Sequence, residues 1–296
     1  MSVYGLIGLG AMGMGMARSM VRANLETWAF DLNPEALRSF AENGGHAAAS
    51  VAEAAAKADV LVLVVVNAAQ VEDVLFGSGE GAKHLKPGSL VIACSTVKPE
   101  DAENVASRLA ADGILFLDAP ISGGAAKAMQ GEITMMASGD DAAFAKAKPV
   151  LEATTTKLYR MGDTPGKGSA MKIVHQLLAG VHIAAAAEGM AFGLRMGLDP
   201  QLVYDVVTNA AGNSWMFENR MAHVLAADYT PLSAVDIFVK DLGLVLDSTR
   251  KVMFPSPLAA AAHQQFINAS AAGFGREDDS AVIKVFPGIP LPEKKA

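Results

Sequence analysis

The sequence predicts an α/β chain. An N-terminal doubly wound parallel sheet is followed by an all-α part. Three observations carry this reading. Short β-branched runs alternate with helical stretches through the first half of the chain. A glycine-rich turn directly follows the first of those runs. Beyond residue 163 the strand pattern stops and only helical periodicity remains. The expected division is 1–163 and 164–296.

Val3–Ile7 reads as the first strand and 27–30 as the second. Asn33-Pro34 opens a helix, with proline at its first position, and Gly44-Gly45 stops it. Ser50 and Glu53 form a capping-box pattern for the next helix. Residues 60–66 are a continuous apolar, β-branched run, as a strand buried on both faces should be. Runs 90–94 and 114–117 repeat the theme, and Pro99 opens a helix between them. Runs 134–137 and 155–159 add two strands around a helix near 142–150.

The segment Gly162-Asp163-Thr164-Pro165-Gly166 is a turn-rich junction. After it, 169–196 reads as one helix without proline. About 30 helical residues would span ~45 Å, more than a small lobe is wide. Such a helix is expected to form a spine between domains and part of a subunit interface. Asp199-Pro200 starts another helix. Further helices are expected over 215–226, 233–252, 258–271 and 281–286, with a flexible tail at 287–296.

The glycine turn is Gly8-Leu9-Gly10-Ala11-Met12-Gly13, and Asp31 closes the second strand. Strand, glycine turn, helix, strand and acid in this order suit a dinucleotide. Gly8 permits the tight turn, Gly10 lets a pyrophosphate approach the backbone, and Gly13 lets the helix pack close. The following helix N-terminus offers free N–H groups and partial positive charge. An acid about 20 residues on is placed to bond the ribose 2′-hydroxyl. A carboxylate there would repel a 2′-phosphate, so NAD is expected over NADP. The bland reading, a tight turn beside an acidic strand end, leaves this order of elements unexplained. Asn67 and Thr96 also end strands, where either could touch the cofactor.

Bulk properties narrow the partners. The formal charge is −7 with no basic block, which argues against nucleic acid and anionic membranes. No stretch of ~20 apolar residues free of charge offers a membrane span, and no signal peptide is visible. Cys94 is the single cysteine, so no disulfide framework or cysteine metal cluster is available. It reads as a core residue in a cytoplasmic protein. His175 and His182 are seven residues apart, too far for a one-turn metal pair, and no metal is expected.

A nicotinamide dehydrogenase needs a proton acceptor beside the carbon that loses hydride. Lys172, early on the long helix, is the best candidate. A free lysine, with a pKa near 10.4, is a poor base at neutral pH. Burial and a positive nicotinamide ring would both disfavour its charged form. From position alone a solvated helix lysine is the commoner outcome. His175 and Gln176 share its helical face and could bond substrate hydroxyls, although a core histidine is the ordinary alternative. Asp118-Ala119-Pro120-Ile121-Ser122-Gly123-Gly124 follows a strand end. The N–H groups of Ser122, Gly123 and Gly124 could form a nest for a carboxylate, or the segment could be a plain turn. Lys240, in Lys240-Asp241, could supply positive charge to a cleft or make a surface salt bridge.

The chain resembles the β-hydroxyacid dehydrogenases. The glycine turn, Asp118 to Gly124, Gly166-Lys167-Gly168 with Lys172, and Lys240-Asp241-Leu242 carry the match across nearly the whole chain. The resemblance implies a Rossmann domain followed by a helical domain for substrate and oligomerisation. It implies Lys172 as the acid/base, Ser122-Gly123-Gly124 as the substrate loop and Lys240 near substrate and cofactor. Many members carry two asparagines where this chain has His175-Gln176. The run from His175 to His182, with Ala211 to Arg220, is similar to the branch that oxidises the four-carbon sugar acid L-threonate. That resemblance implies NAD-dependent oxidation at C2, with His175, Gln176 and Asn213 reading the remaining hydroxyls, in a homodimer or homotetramer. The enzymatic alternatives are tartronate semialdehyde reduction and 3-hydroxyisobutyrate oxidation. A module that binds NAD and a small acid without turnover is the non-enzymatic one.

Overall fold

The computed structural model describes residues 2–294. It comprises two compact units, one ending at Lys172 and one beginning at Ile173.

The first unit alternates strands and helices. Its elements are β1 (Val3–Ile7), α1 (Ala11–Arg22), β2 (Glu26–Phe30), α2 (Pro34–Glu42), β3 (His46–Ala47), α3 (Val51–Lys57), β4 (Val60–Leu63) and α4 (Ala68–Phe76). They continue with α5 (Gly81–His84), β5 (Leu90–Ala93), α6 (Pro99–Ala111), β6 (Leu115–Asp118), β7 (Ile121–Ser122), α7 (Gly124–Gln130), β8 (Ile133–Ser138), α8 (Asp141–Thr154) and β9 (Thr155–Gly162). The sheet order is β3-β2-β1-β4-β5-β6-β8-β7, with β9 also on β8. The strands from β3 to β6 are parallel, whereas β8 runs antiparallel to β6 and β7.

Strand side chains explain the double winding. Val60 and Val62 of β4, with Leu90 and Ile92 of β5, pack into a core with α1 and α8. Their neighbours Leu61, Leu63, Val91 and Ala93 enter a second core with α3, α4 and α6. Alternation along a strand that is apolar on both faces thus fills two cores, one on each side of the sheet. Both expected N-caps form, although the Glu53 carboxylate accepts from Ala49 N rather than from Ser50 N, so the capping box is half made. Asn33 Oδ1 accepts from Glu35 N at 3.0 Å, and Ser50 Oγ accepts from Glu53 N at 3.1 Å.

The structure differs from the sequence reading in several places. β4 ends at Leu63 rather than at 66, because Asn67 caps α4 and turns the chain out of the sheet. The two-residue strands β3 and β7 and the helices α4, α5 and α7 are additional. The chain passes from one compact unit to the next between Lys172 and Ile173, nine residues beyond the division at 163/164 expected from sequence, and this leaves that expected domain boundary untouched. The first turn of α9 (Lys167–Arg195) is tied into the first unit by Asp118 and Ser138, described below.

The second unit holds the rest of α9, then α10 (Pro200–Thr208), α11 (Trp215–Leu225), α12 (Val235–Lys251) and α13 (Pro257–Ala269). A 3₁₀ turn at Asp279–Val285 stands where 281–286 reads as helix. Ile183, Ala187, Met190, Met221, Leu242, Val245 and Phe266 are its fully enclosed core. Arg220 makes a bidentate pair with Asp279, at 2.5 and 3.0 Å. Beside it, His223 Nδ1 lies 3.1 Å from Asp278 Oδ1. The tail expected to be flexible is anchored at its start. Gly288 O accepts from Arg195 Nη1 at 2.8 Å, and Ile289 and Leu291 pack on the core. Its last two residues lie outside the described residues.

By length and composition α9 could cross a bilayer, but 56% of the apolar window is buried inside the fold. It is the central helix of the second core, which accounts for its apolar character.

Candidate active site

The glycine turn between β1 and α1 is shaped by three different constraints. Gly8 has φ +98°, and a Cβ there would meet Val64 O at 2.5 Å. A Cβ on Gly13 would lie 1.9 Å from Gly8 O, so only glycine lets α1 close on the turn. A Cβ on Gly10 would meet nothing within 4 Å. Gly10 is also the N-cap of α1 and has no capping side chain, so the amides of Ala11, Met12 and Gly13 begin the helix with no side-chain cap. Leu9 contributes backbone only, since its side chain is buried in the core.

Asp31 closes β2 and holds this turn. Its Oδ2 accepts from Leu9 N at 2.5 Å and its Oδ1 from Asn33 N at 2.7 Å. A carboxylate has about four lone-pair sites, so these two bonds leave acceptor capacity for a ribose. Asn67 Oδ1 is the cap of α4, accepting from Gln70 N at 2.9 Å. Thr96 lies half-buried just past β5. Cys94 is buried beneath it. Burial, with the Asp118 charge nearby, pushes its thiol up to about 12, so it is inert at neutral pH.

Asp118 ends β6 and is almost fully enclosed. Its Oδ2 accepts from Gly166 N at 3.0 Å, Ser169 N at 2.8 Å and Ser138 Oγ at 3.3 Å. Its Oδ1 accepts from Ser169 Oγ at 2.7 Å. Burial still raises its carboxyl above the ordinary value, against the pull of these bonds. The same cluster seats Gly168, whose N–H donates to Ser138 Oγ at 2.9 Å.

Lys172 follows one turn later and is buried. Its Nζ donates to Ile121 O at 2.8 Å. Ile121 immediately precedes Ser122, so the amine is anchored at the base of the Ser122-Gly123-Gly124 loop. Gly123 (φ +141°) and Gly124 (φ +76°) both occupy backbone regions that favour glycine. The antiparallel pairing of Ser122 with Thr134 fixes the start of this loop.

In the second unit Gly180 brings α9 against α12. A Cβ there would meet the Leu242 side chain at 2.9 Å. One turn back along α9, Gln176 Nε2 donates to Asp241 Oδ2 at 2.5 Å. Lys240 Nζ donates to Asp241 Oδ1 at 2.5 Å, and Gln176 Oε1 lies 2.8 Å from His175 Nδ1. Lys240 therefore pairs with a buried acid rather than a surface one, the carboxylate being 2% exposed. Asn213 commits only its amide nitrogen to its own turn. Its Nδ2 donates to Thr208 O at 3.2 Å in the turn after α10, and its buried Oδ1 has no partner. Asp118 and Asp241 are absent from the site residues that sequence reasoning selected. The signal was an acid closing an apolar strand in one case, and an acid inside an apolar helix stretch in the other. Among the described residues no group of three or more His, Cys, Asp or Glu is placed to hold a metal.

Residues 3–162 match the family of the NAD binding domain of 6-phosphogluconate dehydrogenase. Residues 166–286 match the NAD-binding family of NADP-dependent 3-hydroxyisobutyrate dehydrogenase. The chain belongs to the β-hydroxyacid dehydrogenase family. Within it, the L-threonate dehydrogenase of Cupriavidus necator is 60% identical, over 98% of this chain and 98% of that one. The L-threonate dehydrogenase of Escherichia coli K12 is 57% identical, over 99% and 97%. The crystal structure of 3-hydroxyisobutyrate dehydrogenase from Salmonella typhimurium has a TM-score of 0.92 and 58% identity, covering 97% of this chain and all of that one. As a β-hydroxyacid dehydrogenase the chain is an oxidoreductase using a nicotinamide cofactor. The backbone at Gly10 is open, with nothing within 4 Å of where a Cβ would stand, so it fits the close approach of the pyrophosphate of that cofactor.

Proposed function

We propose that this dehydrogenase oxidises L-threonate at C2 to the 2-oxo acid, 2-dehydro-L-erythronate, with NAD as acceptor. The observation that carries the reading is full-length similarity at 57–60% identity to the L-threonate dehydrogenases of two bacteria. The polar pair His175-Gln176, braced on Asp241, supports a polyhydroxylated substrate. Each hydroxyl taken from water needs a replacement partner.

The residues divide the work. NAD, when bound, would supply the acceptor for the hydride from C2. Ser122 Oγ and the amides of Gly123 and Gly124 hold the carboxylate. Lys172 Nζ takes the hydroxyl proton, and returns it in the reverse direction. Lys240 adds positive charge toward substrate and cofactor, and His175, Gln176 and Asn213 read the other hydroxyls. Gly8 to Gly13 hold the pyrophosphate, Asp31 bonds the ribose, and Asn67 and Thr96 border the cofactor. Asp31 favours NAD over NADP by charge.

A second reading has its own support: the Salmonella typhimurium structure, 58% identical, is a 3-hydroxyisobutyrate dehydrogenase. A panel of L-threonate, 3-hydroxyisobutyrate and tartronate semialdehyde, with NAD and NADP, separates the readings by absorbance of the reduced cofactor. Turnover of 3-hydroxyisobutyrate without threonate would overturn the first.

The chain is also proposed to self-associate as a dimer or tetramer in the cytoplasm. On α9, Val174, Leu178 and Phe192 are apolar yet exposed, by 53%, 50% and 65%. Light scattering on the purified chain tests this.

A further inference from the structure

The chain of contacts from Asp241 to His175 fixes more than position. An ionised carboxylate only accepts hydrogen bonds. The Gln176 atom 2.5 Å from Asp241 Oδ2 must therefore be the amide nitrogen. The other amide atom is then the carbonyl oxygen, which also only accepts. It lies 2.8 Å from His175 Nδ1, so that nitrogen must carry the proton. In a neutral imidazole the second nitrogen is then the acceptor.

We infer that Asp241 is a positioning residue that acts through Gln176 to lock His175 in its Nδ1–H tautomer, so that His175 recognises a substrate hydroxyl through the lone pair of Nε2. The inference rests on the proposed oxidation of a polyhydroxylated acid, and it names how one hydroxyl is selected. His175 accepts from a hydroxyl and cannot serve a group that only accepts. Burial of Gln176 and Asp241, at 6% and 2% exposure, keeps water from satisfying the amide in its turned orientation. The crowding of Gly180 against Leu242 holds the two helices at the distance this relay needs. The other carboxylate oxygen accepts from Lys240 Nζ, so both oxygens of Asp241 face donors.

The test has two arms on the full-length enzyme with bound NAD. In the first, long-range nitrogen–proton NMR of ¹⁵N-histidine-labelled protein reads the tautomer of His175, assigned by comparison with His175→Gln. Nδ1–H is expected in the unaltered enzyme. Nε2–H there overturns the inference without need of a further variant. In Asp241→Ala the amide is released and the Nε2–H form should appear, whereas Asp241→Asn, whose carbonyl still accepts, should keep Nδ1–H. An unchanged tautomer in Asp241→Ala also overturns it.

In the second arm, kcat/KM is compared for L-threonate and for 2-hydroxybutyrate of the same C2 configuration, which lacks the hydroxyls on C3 and C4. Asp241→Ala should lower the threonate to hydroxybutyrate ratio about tenfold, the equivalent of one ordinary hydrogen bond. Asp241→Asn should restore most of it. An equal loss for both acids would mark Asp241 as merely structural. If the unaltered enzyme does not turn over threonate, the substrate reading fails, while the tautomer arm still judges the relay.

Discussion

The hydroxyl of Ser169 donates to Oδ1 of Asp118 at 2.7 Å, and this bond seats the first turn of α9 on the sheet. Lys172 lies three residues further along that helix. An acid at the end of β6 therefore sets where the helix that carries Lys172 begins. Asp118→Ala strips the acceptor from two backbone amides and two hydroxyls at once. The expected cost is about 2–4 kcal/mol of stability, from buried donors left unpaired. Asp118→Asn can keep its carbonyl at the Oδ2 position and donate to Ser169, and should cost less than about 1.5 kcal/mol. Urea unfolding of the two variants checks this. Equal losses would contradict the role of the bonding pattern.

The glycine turn separates folding from binding. Gly13→Ala would drive a Cβ to within 1.9 Å of Gly8 O, and should lose several kcal/mol, as overpacking against rigid backbone does. Gly10→Ala fills open space and should unfold within about 1 kcal/mol of the original. Its NAD affinity should nevertheless fall at least about tenfold, because the Cβ occupies the approach to the backbone. Thermal unfolding alongside calorimetric titration of NAD distinguishes the two effects. A Gly10→Ala variant that binds NAD normally would remove the pyrophosphate from this turn.

Asp31 ties Leu9 N at the end of β2, and it is the residue proposed to bond the ribose. Asp31→Asn keeps one acceptor and loses the charge. The ratio of kcat/KM for NAD over NADP should fall about tenfold or more, the scale of one charge-assisted hydrogen bond. An unchanged ratio would mean that another residue selects the cofactor.

The pair His223–Asp278 gives the second unit a pH-dependent clasp. Hydrogen bonding to Asp278 raises His223 above the ordinary histidine value. Burial pushes Asp278 up, but hydrogen bonds from His223 and Ser280 more than offset this and hold it at about 2. The histidine contribution is complete below about 6.5 and is lost as pH rises through its raised value. The aspartate contribution is complete above about 3.9 and is lost as pH falls toward its lowered value. Stability of the original chain relative to His223→Gln should therefore peak near pH 5–6, by about 1 kcal/mol, and shrink by pH 9. Urea unfolding across this range checks it. A difference independent of pH would contradict the ion pair.

Much of the fold could be read from the chain. Residues 60–66 and 90–94 read as central strands because they are apolar at every position, and the glycine turn with Asp31 is where the structure joins β1, α1 and β2. The sequence could not show that β4 ends at Leu63, since Val64 to Val66 are as β-branched as the strand they follow. Two-residue strands such as β7 carry too little pattern to see, although β7 positions Ser122. Of the polar candidates, Gln176 and Lys240 bond Asp241, His175 bonds Gln176, and Lys172 bonds Ile121 O. Asn213 is bonded to its own turn. Asp118 and Asp241 escaped because their importance lies in burial and in partners such as Gly166 and Gln176, 48 and 65 residues away, which no local spacing reveals.

The most direct measurement concerns Lys172. Lys172→Ala should lose about 10²- to 10⁴-fold in kcat for L-threonate oxidation, the usual worth of a positioned acid/base. Its dissociation constant for NAD should stay within about twofold, a change of roughly 0.4 kcal/mol. Turnover at the original rate, with NAD bound as before, would contradict proton transfer by this amine.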